Sequence, residues 1–502
     1  MNGERVTVVS IDGVAPRFIT PETMPNLCRL AREGGSCFTA STVFPSITLP
    51  AHTSMLRGVD PTVHGAVDNS PLPLSDEWPS FLYAARKSGL TTAALLNWKP
   101  IANIVENDAL DIRYFLNSGY GRSDDDRIAD AAATVLGECP DVAFAYLVSP
   151  DLAGHDGGWG SGSYLAALTH SDRALGRILD AVDDSAVLVT TDHGGHGHDH
   201  EESEAEDLET FMVIKASGIA PRSHLPTASI LDVAPTVASL AGFDAPVAWS
   251  GRSLLGTEVP FVDHLLGLVE QMAHHSYGER VNMAQHSLQT AAAAAAAESH
   301  DELVIAALLH DVGHLMGEVG PWGLPDHARE GARHLQQILP PGVVEPIRLH
   351  VDAKRYLVAT DPSYAAELSE ASKESLAEQG GPFSQAECAE FAAGPWFEEA
   401  IALRRFDDSG KLPDLEVSDA SLYRPLIERL LVQLPTSARW MRDACACPEC
   451  RDPSSGQHLL SARDLEGWTR VGHRTIRHDD GRVHEIRPAD RETSGLTTHH
   501  WG

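Results

Sequence analysis

The sequence predicts a multidomain chain in three parts: an α/β sheet domain over residues 1–257, an all-α domain over 258–435 and a small β-rich module over 436–502. Three observations predict it. In the first part, apolar β-branched runs each end near an aspartate, as buried strands of a mostly parallel sheet do when they deliver side chains to one edge. From Phe261 the pattern changes to long amphipathic helices with few strand candidates, and Pro246, Gly251 and Gly256 mark the join. Near the end, three clustered cysteines are followed by short alternating runs.

Length and composition agree with this division. At 502 residues the chain exceeds what one core organises. With 38 basic and 71 acidic side chains it is strongly acidic, which argues against nucleic acid or an anionic membrane as a partner. A small anionic substrate stays compatible, because a bound metal reverses the local field. The start runs directly into a strand pattern without a charged and then apolar leader. No apolar run nears the roughly 20 residues that cross a bilayer, and Ala291 to Ala297 is too short. Seven cysteines, three of them Cys445, Cys447 and Cys450, read as metal binding in a reducing cytoplasm rather than as a disulfide framework.

In the first domain the runs Val6 to Ile11, Val142 to Val148 and Ala186 to Thr190 lead to Asp12, Asp151 and Asp192. Each end carries further ligand types: Ser149-Pro-Asp151-Leu-Ala-Gly-His155 in one, and Thr191-Asp192-His193-Gly-Gly-His196-Gly-His198-Asp199-His200 in another. Between the first strand end, at Asp12, and the second, at Asp151, lies Phe44-Pro-Ser-Ile-Thr48-Leu-Pro-Ala-His52, a hydroxyl in a proline-punctuated turn. Mixed oxygen and imidazole ligands suit two zinc or similar divalent ions, and a metal beside the Thr48 hydroxyl would make it a nucleophile toward phosphorus.

These motifs resemble the alkaline phosphatase superfamily, and within it the nucleotide pyrophosphatase/phosphodiesterase branch. The resemblance implies that Asp12, Thr48, Asp192 and His193 hold one metal, that Asp151, His155 and a later histidine hold the other, and that Thr48 is transiently phosphorylated. Asn69 matches the side-chain amide that binds a phosphoryl oxygen. His196, His198 and His200 compete as the later ligand; the spacing to Glu206-Asp207 and to Phe211–Ile214 favours His200. By analogy the substrate is a diester or a phosphonate rather than a monoester.

In the second domain Glu302-Leu-Val-Ile-Ala-Ala-Leu-Leu-His310-Asp311-Val-Gly-His314 reads as an apolar helix ending in potential ligands, with Val304, Ala307 and Leu308 buried. Polar groups brought out of a core call for a partner, and a divalent metal is the usual one. His286, His327, His350 and Asp407 add to His310 and Asp311 enough ligands for a dinuclear centre bridged by Asp311.

This set resembles the His-Asp (HD) superfamily, which holds phosphohydrolases and a small group of di-iron oxygenases. His314, Lys354 and Ser372, with the stretches Leu-His-Val-Asp-Ala-Lys-Arg-Tyr-Leu and Ser-Leu-Ala-Glu-Gln-Gly-Gly, are similar to the phosphonate oxygenases of that group. The resemblance implies a mixed-valent di-iron centre that cleaves the carbon–phosphorus bond of an α-hydroxyphosphonate with dioxygen, giving phosphate and a carboxylic acid. His314, Lys354 and Ser372 would hold the phosphonate oxygens, since a tetrahedral dianion needs clustered donors and positive charge. Tyr277 and Glu279 resemble a pair that caps the empty iron site, Glu279 by the better spacing. A separate α-hydroxylase is an expected partner.

In the tail, Cys445, Cys447 and Cys450 suit one structural zinc, a staple for a module too small to stand on its own core. The tail resembles the amino-terminal module of γ-butyrobetaine hydroxylase-like proteins, without their catalytic domain. His484 is the expected fourth ligand and His458 its rival. The whole reads as a cytoplasmic enzyme of phosphonate breakdown, a two-metal phosphodiesterase or phosphatase fused to a di-iron oxygenase. The alternatives are an HD phosphohydrolase fused to a phosphodiesterase, and a fusion in which one domain serves binding or sensing.

Overall fold

The structure is a computed structural model that describes residues 3–433, apart from 73, 118–120, 122, 183–184, 202–203, 227, 276–280, 317–325, 413–414 and 416, together with 468–472, 475–478 and 483–485. Cys445, Cys447, Cys450, His458, Tyr277 and Glu279 lie outside the described residues. The chain separates into two compact units, Met1–Phe261 and Val262–Gly502.

The first unit is built on β1 (Val6–Ile11), β2 (Gly35–Ser41), β3 (Thr92–Leu96), β4 (Ile112–Phe115), β5 (Val142–Leu147), β6 (Ala186–Thr190), β7 (Glu209–Lys215), β8 (Ser223–His224) and β9 (Val259–Pro260). They form one sheet in the order β4-β3-β5-β1-β6-β7-β2-β8-β9. β1 pairs in parallel with β5 and β6, whereas β7 runs antiparallel to both β6 and β2. β1, β5 and β6 are buried at every position, which explains their continuous apolar runs: a central strand covered on both faces has no solvent side to mark with polar residues.

Alternation along these strands feeds two cores. Val6, Val8, Phe144, Tyr146 and Leu188 share one with Leu49, Met55 and Leu56 of the helix Thr48–Arg57. Val9, Ile11, Ala145, Leu147 and Val189 share the other with the helices Pro25–Glu33 and Gly162–Ala181. The register sets Ile11 beside Leu147 and Ser10 beside Thr190, so the carboxyl ends of the three strands are level and Asp12, Asp151 and Asp192 emerge along one edge. Gly13 permits this crowding. Its φ is +68°, and a Cβ there would stand 2.8 Å from the Asp151 Cα.

The second unit is helical, with the helices Met283–Ala296, Asp301–Leu309, His327–Leu335, Pro341–Thr360 and Phe397–Ser409 surrounding its buried polar cluster. A capping box between Asn282 and Gln285 starts the first of these. Leu303 to Leu309 are all buried, so the helix Asp301–Leu309 is apolar all round, and His310 and Asp311 begin the turn that follows it. Near the end, β10 (Trp468–Gly472), β11 (Thr475–His478) and β12 (Val483–Glu485) form an antiparallel sheet, and the backbone of His484 pairs with Ile476. Among the described residues no helix is long and apolar enough to cross a membrane.

Candidate metal centres

In the first unit the nucleophile candidate Thr48 opens the helix Thr48–Arg57, whose dipole favours an anion at this end. Its hydroxyl lies 3.5 Å from His193 Nε2. The same nitrogen is 3.2 Å from Asp12 Oδ1, 3.4 Å from Asp192 Oδ2 and 4.0 Å from Asp151 Oδ1. Asp151 Oδ1 also faces His155 Nε2 at 3.4 Å and His200 Nε2 at 3.8 Å. Two ligand triads result, Asp12/Asp151/His193 and Asp151/His155/His200, each with its ligand atoms within 4.8 Å of one another.

Asp12 Oδ1, Asp151 Oδ1 and Asp192 Oδ2 are buried and accept no hydrogen bond. Burial, and then the charge of Asp192, raises Asp12; burial and then Asp12 push Asp151 up to about 8. Burial would lower His193, but Asp192 and Asp12 hold it up at about 10. Three carboxylates crowded in a dry site cannot all stay ionised without a cation, so the residues fit a divalent metal pair.

Each ring is oriented by its other nitrogen. His193 Nδ1 donates to the Gly194 carbonyl at 2.9 Å, His155 Nδ1 to the His198 carbonyl at 3.0 Å and His200 Nδ1 to the Ser46 carbonyl at 2.7 Å, leaving Nε2 for a metal. Of the three competing histidines, His200 is buried in the second triad, whereas His196 Nδ1 turns to Asp207 Oδ1 at 2.7 Å and His198 is exposed. Asn69 is exposed, and its Oδ1 accepts the Leu49 N–H at 3.0 Å, which fixes its amide against the first turn of the Thr48 helix.

Two supporting residues were not anticipated from the sequence. The Tyr146 hydroxyl donates to Asp12 Oδ2. His52 Nδ1 contacts the Thr48 carbonyl at 2.9 Å and lies 3.3 Å from Asp192 Oδ2. Tyr146 sits one place before the end of β5 on the face toward the Thr48 helix, and His52 lies one turn after Thr48, so spacing alone could have flagged both.

In the second unit the six expected ligands converge. Asp311 Oδ2 lies 3.6 Å from His286 Nε2 and 3.4 Å from His310 Nε2, while its Oδ1 lies 3.5 Å from His327 Nε2. His286 and His310 present Nε2 atoms 3.2 Å apart, and those of His327 and His350 are 3.1 Å apart. Asp311 thus offers one oxygen to each histidine pair. Asp407 Oδ1 joins the first pair, 3.1 Å from His286 Nε2. Again the rings are fixed from behind: Nδ1 of His286, His310 and His350 donate to the carbonyls of Gly410, Ala307 and Ile347.

Burial opposes charge here, yet the surrounding His310 and His314 hold Asp311 below the usual carboxylate range, and Arg404 does the same for Asp407. Burial, followed by the neighbouring His327, drives His350 well below its ordinary value and His314 down to about 3. A neutral His350 and ionised Asp311 and Asp407 carboxylates are the protonation states that metal ligation needs, and two first-row transition ions fit the set.

Arg404 was missed in the sequence. Fully enclosed, it binds Asp407 Oδ2 through Nη1 at 2.5 Å, pairs with Asp408 through Nη2, and meets the Tyr364 hydroxyl at 3.0 Å. The helical spacing Arg404/Asp407/Asp408 was the available signal.

The expected phosphonate ligands lie in the same unit, with one rearrangement. Lys354 Nζ donates to Ser375 Oγ at 2.7 Å and Gln379 Oε1 at 3.2 Å, while Ser372 Oγ accepts from Lys411 Nζ at 3.2 Å. Burial, then Arg404, lowers Lys354 to about 7. The His314 ring stacks on His327 at 3.9 Å. Gly313 packs so closely on the next helix that a Cβ there would stand 1.9 Å from the His327 carbonyl oxygen.

Comparison with known proteins agrees with both units. Residues 6–237 match the type I phosphodiesterase/nucleotide pyrophosphatase family, and residues 283–375 match the HD domain. The chain is 39% identical over 176 residues to a [1-hydroxy-2-(trimethylamino)ethyl]phosphonate dioxygenase (glycine-betaine-forming) of Leisingera caerulea, covering 34% of this chain and 90% of that protein. It is 38% identical over 188 residues to a hydroxymethylphosphonate dioxygenase of Gimesia maris, covering 36% of this chain and 92% of that protein. A bis(5'-adenosyl)-triphosphatase of Mus musculus is 26% identical over 219 residues, 38% of this chain and 47% of that protein. The chain is therefore an enzyme that joins a phosphodiesterase-family domain to a metal-binding HD domain. Through the HD domain it belongs to the phosphonate dioxygenase family.

Proposed function

We propose that the second unit cleaves the carbon–phosphorus bond of an α-hydroxyphosphonate with dioxygen, and that the first hydrolyses a phosphate or phosphonate ester. The observation that carries the oxygenase reading is Asp311 offering one oxygen to each of two histidine pairs, in a chain that covers almost the whole length of two phosphonate dioxygenases. His286, His310, Asp311 and Asp407 would hold one iron, and His327, His350 and Asp311 the other. The irons would supply dioxygen activation and the Lewis acidity that binds the substrate. Oxidation of the hydroxyl-bearing carbon by dioxygen gives a carboxylate and phosphate, and the balance closes without an outside reductant.

The chain's own groups position the anion. Lys354 brings positive charge to the phosphonate oxygens, Ser372 and His314 add donors, and Lys411 lies against Ser372. Glu279 completes the expected substrate-binding set. The hydroxyl oxygen of Ser375 and the amide oxygen of Gln379 hold the Lys354 ammonium in place before substrate arrives.

In the first unit Asp12, Thr48, Asp192 and His193 would hold one zinc or similar ion, and Asp151, His155 and His200 the other. Metal ions there would lower the pKa of the Thr48 hydroxyl and neutralise a phosphoryl group. Thr48 attacks phosphorus, Asn69 donates to a non-bridging oxygen, and the ester alcohol departs; water then regenerates Thr48. The two activities suit succession, an ester being opened before the free phosphonate is oxidised.

Phosphorus NMR of α-hydroxyphosphonates and their esters, incubated with iron-loaded protein in air and without oxygen, tests both halves. Free phosphate should form from the acid only in air, and ester opening should proceed in both atmospheres. Phosphate released from the acid without oxygen would reassign the second unit to hydrolysis.

A further inference from the structure

The histidine-rich segment after β6 carries more order than a ligand loop needs. Its alternate histidines 196, 198 and 200 each use Nδ1 to grip a different part of the first unit: Asp207 Oδ1 at 2.7 Å, the His155 carbonyl at 3.0 Å and the Ser46 carbonyl at 2.7 Å. The two backbone carbonyls cannot donate, so Nδ1 of His198 and of His200 carries the proton.

Two of these contacts are reciprocal. His155 Nδ1 donates back to the His198 carbonyl at 3.0 Å, and Ser46 Oγ donates back to the His200 carbonyl at 2.6 Å. The segment is thus stitched to the helix Ser149–Gly157 on one side and to the turn two residues before Thr48 on the other. The Trp159 N–H adds a bond to the Gly197 carbonyl at 2.8 Å, and Gly194 and Gly195 donate to the carbonyls of Asp207 and Glu206.

We infer that His198 and Ser46 are positioning residues for the metal held by Asp151, His155 and His200, fixing the rings of His155 and His200 through paired side-chain and backbone hydrogen bonds. The His155 side chain is 42% exposed, so packing alone does not hold it, and the paired bond to His198 supplies the missing constraint. His200 is otherwise stacked on His193 at 3.7 Å, and the Ser46 pair sets which of its nitrogens faces Asp151. The alternation of histidine with glycine follows: Gly195 and Gly197 have φ of 154° and +50°, letting the chain turn between successive anchors.

The inference rests on the two-metal reading of the first unit, and the test separates the two. Full-length wild type, His198→Ala, His198→Asn, Ser46→Ala and His200→Ala are loaded with zinc and iron, and bound metal, chelator-driven zinc release and ester hydrolysis are measured. Removing such a support typically costs about 10- to 100-fold in metal affinity. His198→Ala and Ser46→Ala should therefore speed release of one zinc by about that factor and lower kcat while KM changes little. His198→Asn, whose amide still donates to the His155 carbonyl, should recover most of the loss, and His200→Ala should lose one zinc outright. Iron content should stay constant throughout. Unchanged zinc release in His198→Ala and Ser46→Ala would overturn the inference while leaving the two-metal reading intact; wild type that holds no zinc beside its iron would overturn that reading itself. Outright zinc loss in His198→Ala, with His200→Ala still binding two, would make His198 the ligand and also overturn the inference.

Discussion

The two metal-binding regions reach similar ends from opposite scaffolds. In the first unit the ligands stand at the level ends of parallel strands and on the segments just beyond them, and carboxylates outnumber imidazoles in the triad around His193. In the second they come from four helices and from the turn that follows a fifth, and four histidines surround one central carboxylate. A sheet edge gathers charge by topology, because every strand end arrives at the same level; a helical bundle must gather it by aiming individual side chains from behind. The backbone carbonyls of Ala307, Ile347 and Gly410 do that aiming. The difference teaches where each site is vulnerable: the first through its carboxylate crowding, the second through the orientation of its rings.

Exchange of single groups can break the comparison. The largest effects belong to Thr48→Ala and Asp311→Ala. Loss of a nucleophile costs about 10⁴-fold or more in kcat, so Thr48→Ala should abolish ester opening with C–P cleavage intact. Asp311→Ala should do the converse, with iron falling from two per chain toward none by elemental analysis. If either variant impaired both reactions equally, the two centres would not be independent. Asn69→Ala comes next: loss of one oxyanion donor costs about 10²- to 10³-fold in kcat, and steady-state kinetics on an ester should show that drop with folding unchanged by circular dichroism.

Smaller effects sharpen the contrast. Arg404→Gln frees Asp407 Oδ2 from its guanidinium partner, and iron affinity should fall by about 10- to 100-fold; a chelator competition reads it. The least change is a pH dependence at Lys354, lowered to about 7 chiefly by burial. Its cation persists below that value and is lost above it, so KM for the phosphonate should rise as pH increases through about 7, and Lys354→Gln should flatten that rise. For stability the sign is opposite to that of a paired lysine: the unfolded chain holds this proton up to its ordinary value, so the proton released on folding makes the folded state gain as pH rises from about 7 toward 10.5.

Much of both centres was legible in the sequence. Val6–Ile11, Val142–Leu147 and Ala186–Thr190 could be read as strands because burial on both faces leaves uninterrupted apolar runs, and the aspartates beyond them had no packing role. His310 and Asp311 stood out because a wholly apolar helix leads to them. The supports were less legible. Arg404 meets Tyr364 across forty positions of chain, a separation no periodicity reports. Ser372 and Ser375 lie one turn apart on the helix Glu370–Glu378, so sequence could not tell which would meet Lys354 and which Lys411. The roles of His196, His198 and His200 depend on which ring nitrogen meets which carbonyl, a three-dimensional fact.

Gly313 has a mechanical consequence. It lies between Asp311 and His314, and the next helix, which begins with the ligand His327, rests directly on its bare α-carbon. The spacing of the His286/His310 pair from the His327/His350 pair is thereby gauged by a residue that belongs to neither. A single methyl group at that point would act as a wedge, prising the His327 end outward and parting the two histidine pairs while every one of their nitrogens remained encoded.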